Sequence, residues 1–92
     1  MERTKQAQKA FDQLKEIGAP VIDRCDEDGY FIISAEHGAR DDGLPWADYY
    51  ETVTLDNKLG YRFGVHPDIV SILDKNGLFA EWANPGFLGV WN

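Results

Sequence analysis

The sequence predicts a single α+β domain in which two helices cover one face of an antiparallel sheet of about four to five strands. Three observations predict it. The chain has 92 residues, which suits one small core and is too short for two. Two amphipathic segments each end at a glycine, and each is followed by two short apolar runs around a Gly-containing turn. The predicted order is therefore helix, hairpin, connector, helix, hairpin.

The first helix is predicted over residues 3–17. Apolar side chains recur there at spacings of three and four, which places them on one stripe of a helix. The stripe consists of Ala7, Ala10, Phe11, Leu14 and Ile17. Gly18 fits the left-handed position that ends a helix, and Pro20 cannot continue one.

The first hairpin is predicted from residues 20–25 and 30–36, joined by the turn at 26–29. The second run, YFIISAE, is rich in β-branched and aromatic residues, and the Asp28-Gly29 pair is a strong turn signal. Both faces of this run carry apolar side chains, which is typical of a central strand.

The connector is the segment with the most ambiguous pattern. Residues 37–48 are predicted to form a long loop. The run at 49–55, YYETVTL, fits either a strand paired with 61–65 or a short helical turn that begins at Pro45. We predict the strand, which would be the fifth of the sheet.

The second helix is predicted over residues 67–76. Pro67 suits the first helical position, where its missing N–H costs nothing, and Gly77 ends the helix. Leu73 and Ile72 are predicted to be buried. A final hairpin follows, with residues 78–83 and 87–92 around Asn84-Pro85-Gly86, for which Pro then Gly favours a type II turn.

Charge is distributed unevenly along the chain. Sixteen acidic residues against nine basic ones give a net charge of −7. Residues 20–56 alone contain ten acids and two bases, a net charge of −8. Direct binding to nucleic acid or to an anionic membrane is not expected, because both require a basic surface.

No apolar run approaches the roughly 20 residues that span a bilayer. One cysteine permits no internal disulfide, so a cytoplasmic location is expected.

The acidic stretch also contains aromatic residues, which are frequent anchors of protein interfaces. We therefore predict a recognition face for a basic protein surface, in its narrowest form a nucleic-acid mimic that occupies a basic groove. The alternative is that these acids only keep the protein soluble and the aromatics complete the core. The predicted partner-binding residues are Asp23, Asp26, Glu27, Asp28, Asp41, Asp42, Trp46, Asp48, Tyr49, Tyr50 and Glu51.

Patterns typical of catalysis or metal binding are weak. If Gly29 is the sixth position of an EF-hand loop, Arg24 takes the first and Ala35 the twelfth, where carboxylates are required. His37, His66 and Cys25 lack zinc-ligand spacing, and a lone cysteine in a strand is typical of a core residue. We expect no catalytic residue, no metal site and no cofactor.

In size, acidity and lack of catalytic motifs, the chain resembles the small inhibitor proteins of phages and mobile elements, of the anti-CRISPR and anti-restriction kind. The resemblance implies a stoichiometric inhibitor that binds a host nucleic-acid-binding complex, and it assigns no role to any residue. The alternatives are a structural or self-associating module that uses its aromatic C-terminal sheet, and a weak divalent-cation-binding domain.

Overall fold

A computed structural model of the chain describes residues 3–36, 40, 44–50 and 60–92. Over these residues the protein is α+β, with two helices and a four-stranded antiparallel sheet. In chain order the elements are α1 (Lys5–Glu16), β1 (Val21–Ile22), β2 (Ile32–Ser34), α2 (Pro67–Lys75), β3 (Phe79–Asn84) and β4 (Phe87–Trp91). Within the described ranges, no helix is long and apolar enough to cross a membrane.

The two helices lie where the sequence predicts them, and their ends have clear chemical causes. The Thr4 hydroxyl accepts a hydrogen bond from the Ala7 amide at 3.1 Å, which caps the start of α1. His66 Nδ1 accepts one from the Asp68 amide at 3.0 Å and caps α2. Gly18 and Gly77 follow the two helices with φ of +83° and +70°, as predicted.

The sheet has the strand order β1-β2-β4-β3. Ile33 of β2 pairs with Leu88 of β4, and Leu88 pairs with Trp82 of β3, so these three side chains share one face. Both helices and this face contribute to a single hydrophobic core. Its most deeply buried members include Ala7, Ala10, Leu14, Phe31, Ile33, Ile69, Leu88 and Val90. Leu73 and Ile72 are also buried, which confirms that prediction.

The second face of the sheet is covered by the turn that follows β1. Ile32 pairs with Gly89 and is only 1% exposed, although it points away from the helices. A Cβ at Gly89 would overlap the carbonyl oxygen of Asp28, so the turn at 26–29 lies directly on this face. A Cβ at Gly29 would come within 2.7 Å of the Val90 amide nitrogen. The two glycines thus allow backbone to pack on backbone.

Three sequence predictions differ from the structure. The first hairpin is shorter than predicted, because only Val21–Ile22 and Ile32–Ser34 form strands there, and Cys25 lies outside them. Residues 61–65 form a tight turn instead of a strand, and of the proposed strand at 49–55 only Tyr49 and Tyr50 are described, in a turn. Segment 46–48 pairs with 64–66 instead, since the Asp48 amide donates to Gly64 O at 2.7 Å and the His66 amide to Trp46 O at 2.9 Å. The type II turn at Pro85-Gly86 is wrong, because Gly86 lacks the positive φ it requires.

Candidate functional site

The predicted recognition face is divided between two places in the structure. Asp23, Asp26, Glu27 and Asp28 follow β1, whereas Trp46, Asp48, Tyr49 and Tyr50 lie on the segment that runs beside 64–66. Asp41, Asp42 and Glu51 lie outside the described residues. The two groups have different chemistry.

The acidic turn (Asp26–Gly29) is closed by reciprocal backbone hydrogen bonds between Asp26 and Gly29, both at 3.1 Å. Arg24 Nε donates to Asp26 Oδ2, and Arg24 Nη2 donates to Asp28 Oδ2 at 2.6 Å. The hydrogen bond from Arg24 lowers the pKa of Asp26, and a further one from the Asp28 amide acts in the same direction. The same contact raises the pKa of Arg24. Two of the three carboxylates of the turn are therefore paired with Arg24, which precedes the turn, whereas a solvated acidic face would leave them unpaired.

The remaining acids of this group differ in how available they are. Arg3 Nη2 pairs with Asp23 Oδ1 at 2.6 Å, and its guanidinium lies 4.9 Å from the centre of the Phe11 ring. The Asp23 side chain stays 73% exposed in spite of this pair. Glu27 is exposed and makes no ion pair with another described residue. Asp23 and Glu27 therefore supply the accessible negative charge of this surface.

Trp46 is part of the core and is 6% exposed. The Arg40 guanidinium lies 4.4 Å from the centre of its ring, and the ring of His66 lies against it at 5.6 Å. Trp46 therefore packs against the start of α2, because His66 is the residue that caps that helix. Because it is buried, Trp46 is not part of an exposed recognition face, as the sequence had predicted it to be.

Tyr49 and Tyr50 are exposed, at 44% and 72%. Tyr49 makes edge-to-face contacts with Tyr50 at 5.1 Å and with Trp82 at 5.2 Å between ring centres. Trp82 belongs to β3, so the two tyrosines of the acidic stretch lie beside the C-terminal hairpin. The sequence had assigned these tyrosines to the acidic recognition face, but in the structure they form one aromatic surface with Trp82.

That surface borders an apolar groove of about 430 Å³ between α2, β3 and the turn at 62–65. Val65, Leu73 and Leu88 are buried core residues that reach its floor, and Phe63, Phe79 and Trp82 line it as aromatic residues. An ion pair between Arg62 and Asp74, with 3.2 Å between Nη1 and Oδ2, lies at its polar margin. The other lining residues are Val70, Ala80 and Glu81. Such a groove suits an apolar side chain of a partner.

The aromatic turn (Arg62–Val65) presents the most exposed aromatic side chain of the described residues. Reciprocal backbone hydrogen bonds of 3.0 and 2.9 Å join Arg62 and Val65. Phe63 and Gly64 between them have φ of +51° and +79°, the signs of a type I′ turn. Phe63 is 78% exposed, and its carbonyl accepts a hydrogen bond from Trp82 Nε1 at 2.9 Å. The backbone is thus held firmly while the ring projects outward.

Sequence reasoning missed the aromatic turn because YRFGV has the alternation of a strand. The signal that could have found it is Gly64 at the second central position of a two-residue hairpin turn. A Cβ at Gly64 would overlap the carbonyl oxygen of Asp48, so the segment at 46–48 fixes the turn from outside. That contact is between residues far apart in the sequence and leaves no local pattern.

Residues 3–36, 40, 44–50 and 60–92 contain no group of three or more His, Cys, Asp or Glu side chains placed to hold a metal ion. The groove is lined by aliphatic and aromatic side chains with Arg62, Asp74 and Glu81 as its charged residues. What this arrangement offers chemically is apolar contact with charges at the margin. No protein-family model matches the chain, and no curated protein or solved structure matches it significantly.

Proposed function

We propose that this chain is a non-enzymatic protein-binding domain that inhibits a partner by occupying its surface, with the aromatic turn and the apolar groove as the main contact. The observation that carries the proposal is Phe63, an exposed phenylalanine held at positive φ beside the groove. A left-handed backbone costs a non-glycine residue about 1–3 kcal/mol. Burial of the ring contributes little stability to offset this cost, because Phe63 is 78% exposed. Exposed aromatic residues, phenylalanine among them, are enriched in protein interfaces.

The partner that we propose is a basic protein surface. The net charge of −7 and the accessible carboxylates of Asp23 and Glu27 favour encounter with a positively charged protein. Such a partner is consistent with the nucleic-acid-binding complex expected from the sequence, and occupation of its basic surface would block nucleic acid. Pairing of Asp26 and Asp28 with Arg24 makes the acidic turn a weaker mimic of phosphates than the sequence implies. We therefore assign charge the role of steering and the aromatic surface the role of anchoring, and we place this activity in the cytoplasm.

The test uses the variant Phe63→Asn, which removes the ring and keeps the turn, since asparagine is favoured at this position of a type I′ turn. Proteins captured by the full chain from a host lysate are identified by mass spectrometry, and the leading one is purified and titrated by calorimetry. We expect Phe63→Asn to weaken its binding at least tenfold, which corresponds to about 1.4 kcal/mol.

The matched control is Ile17→Asn, which removes another exposed apolar side chain, 42% exposed at the end of α1. We expect its affinity to stay within twofold of the wild type. Equal affinity of wild type and Phe63→Asn would contradict the proposal. So would an affinity that does not change between low and high salt, because the steering role of the acidic residues predicts a decrease.

A further inference from the structure

The longer exposed edge of the sheet lies at β3. In the order β1-β2-β4-β3, the described residues give β3 a strand neighbour on one side only. β3 spans the six residues Phe79–Asn84, whereas the opposite edge, β1, spans two. An open edge presents unpaired N–H and C=O groups and can template another strand. The β3 edge is therefore long enough to be a pairing site.

The apolar groove adjoins β3. Four consecutive β3 residues, Phe79–Trp82, line it. Ala80 and Trp82 face the core side of the sheet, and Val70 and Leu73 of α2 line the same groove, so the groove lies between that helix and β3 on the helix-facing side. Edge backbone and apolar space are thus available to the same ligand.

We propose that the ligand is an extended segment of a basic partner protein, which adds to the open edge of β3 as a further strand and places apolar side chains in the groove. This inference rests on the proposed function and specifies its binding mode. In strand addition, backbone hydrogen bonds supply affinity and pockets for alternate side chains supply specificity. The groove, at about 430 Å³, lies within the range of pockets that accept ligands of a few side chains.

The position of Glu81 defines the sequence that this edge prefers. Glu81 pairs with Gly89 on the second face, whereas Ala80 and Trp82 pair with Val90 and Leu88 on the core side. Side chains directly opposite on neighbouring strands interact, and opposite charges there are favourable. The added strand therefore carries a basic residue beside Glu81 and apolar residues before and after it.

Charge also favours a basic partner over a second copy of the chain. Two copies paired through β3 would each bring a net charge of −7 and a Glu81 to the same edge. Like charges near each other on neighbouring strands are destabilising. A partner segment with alternating lysine and apolar residues meets the same edge with opposite charge.

The probe is a seven-residue peptide with capped ends in which lysines alternate with valine and leucine, titrated into the full chain by calorimetry. The control is a peptide of the same composition with the lysines in one block, which has equal charge and no alternation. We expect the alternating peptide to bind at least tenfold more tightly. Glu81→Lys should remove most of that difference, whereas Glu16→Lys, the same charge change on α1, should preserve it.

Backbone pairing is tested by methylating one peptide nitrogen at a time. Only every second N–H of an added strand points toward β3, so we expect affinity to alternate along the peptide, with methylation costing at least tenfold at one set of positions and less than twofold at the other. Equal binding of both peptides, no binding by either, or a methylation series without a period of two overturns the inference. A dimer of the chain by sedimentation equilibrium that prevents binding of the alternating peptide would overturn it in favour of a second copy. Loss of partner binding in Phe63→Asn would uphold the proposed function in each of these cases.

Discussion

The acidic turn and the aromatic turn share one hydrogen-bond pattern, although only the aromatic turn has positive φ at its two central residues, and they have opposite surfaces. Each has four residues closed by reciprocal hydrogen bonds between its ends, and each has a glycine whose Cβ would meet neighbouring backbone. In the acidic turn the side chains bond to Arg24 and to the turn itself. In the aromatic turn the side chain of Phe63 projects from the protein. Concentrated charge in a sequence therefore does not identify the surface most available to a partner.

The difference arises from what each side chain can reach. Aspartate is short and accepts hydrogen bonds from its own turn and from an arginine two or four residues away, so the acidic turn satisfies itself. Phenylalanine offers no polar group and at positive φ is directed away from the core. In the structure it is 78% exposed, and our proposal assigns its burial to a partner.

Substitution of the buried Trp46 and of the exposed Tyr50 should have very different effects on stability. We expect Trp46→Ala to lower the free energy of unfolding by about 3–5 kcal/mol, since a buried indole is lost. Tyr50→Ala, at a side chain 72% exposed, should change it by less than about 0.5 kcal/mol. Urea unfolding measures both. Similar losses in the two variants would mean that burial does not distinguish these residues.

Both turns should depend on their glycines. Gly64→Ala would place a Cβ against Asp48 O, and Gly29→Ala would place one 2.7 Å from Val90 N. Backbone atoms cannot move aside as a flexible side chain can, so we expect each variant to lose about 3 kcal/mol of stability. Gly77→Ala is the control, because nothing lies within 4 Å of its Cβ position and only the positive φ opposes it. It should cost about 1 kcal/mol by urea unfolding. An equal cost in all three would show that packing against the turns is loose.

The aromatic turn should gain stability when Phe63 is replaced. Phe63→Asn puts the favoured Asn-Gly pair into a turn with positive φ at both positions, and we expect about 0.5–1 kcal/mol of added stability. Thermal unfolding is the measurement. A variant that is more stable but binds its partner less well would show that the native residue is kept for binding. A loss of stability would mean that the Phe63 ring packs on the fold more than its 78% exposure indicates.

The sequence predicted the elements that depend on local patterns. Both helices have repeating apolar spacings and glycine stops that no distant contact alters, and β2 and β4 have clear apolar runs. The aromatic turn depends on segment 46–48, and the pairing of the acidic turn depends on the direction of the Arg24 side chain. In the sequence, Arg24 is one of two basic residues in a stretch with ten acidic ones. Sequence composition could not show that this base lies between two of them.

The smallest expected effect concerns the acidic turn and its dependence on pH. The pKa of Asp26 is lowered chiefly by the hydrogen bond from Arg24, so the bond stabilises the fold at neutral pH, and that contribution is lost as the pH falls through the lowered pKa. We expect Arg24→Gln to raise the pKa of Asp26 toward the ordinary aspartate value, measured by NMR titration of its carboxyl carbon. In urea unfolding, wild type should exceed Arg24→Gln in stability at pH 7, and the difference should shrink toward about pH 2. The control repeats Arg24→Gln in a background that carries Asp26→Asn and Asp28→Asn, because both carboxylates that Arg24 contacts are then absent and its effect on stability should not vary over this range. A difference that grows as the pH falls would show that Arg24 does not hold the charged form of Asp26.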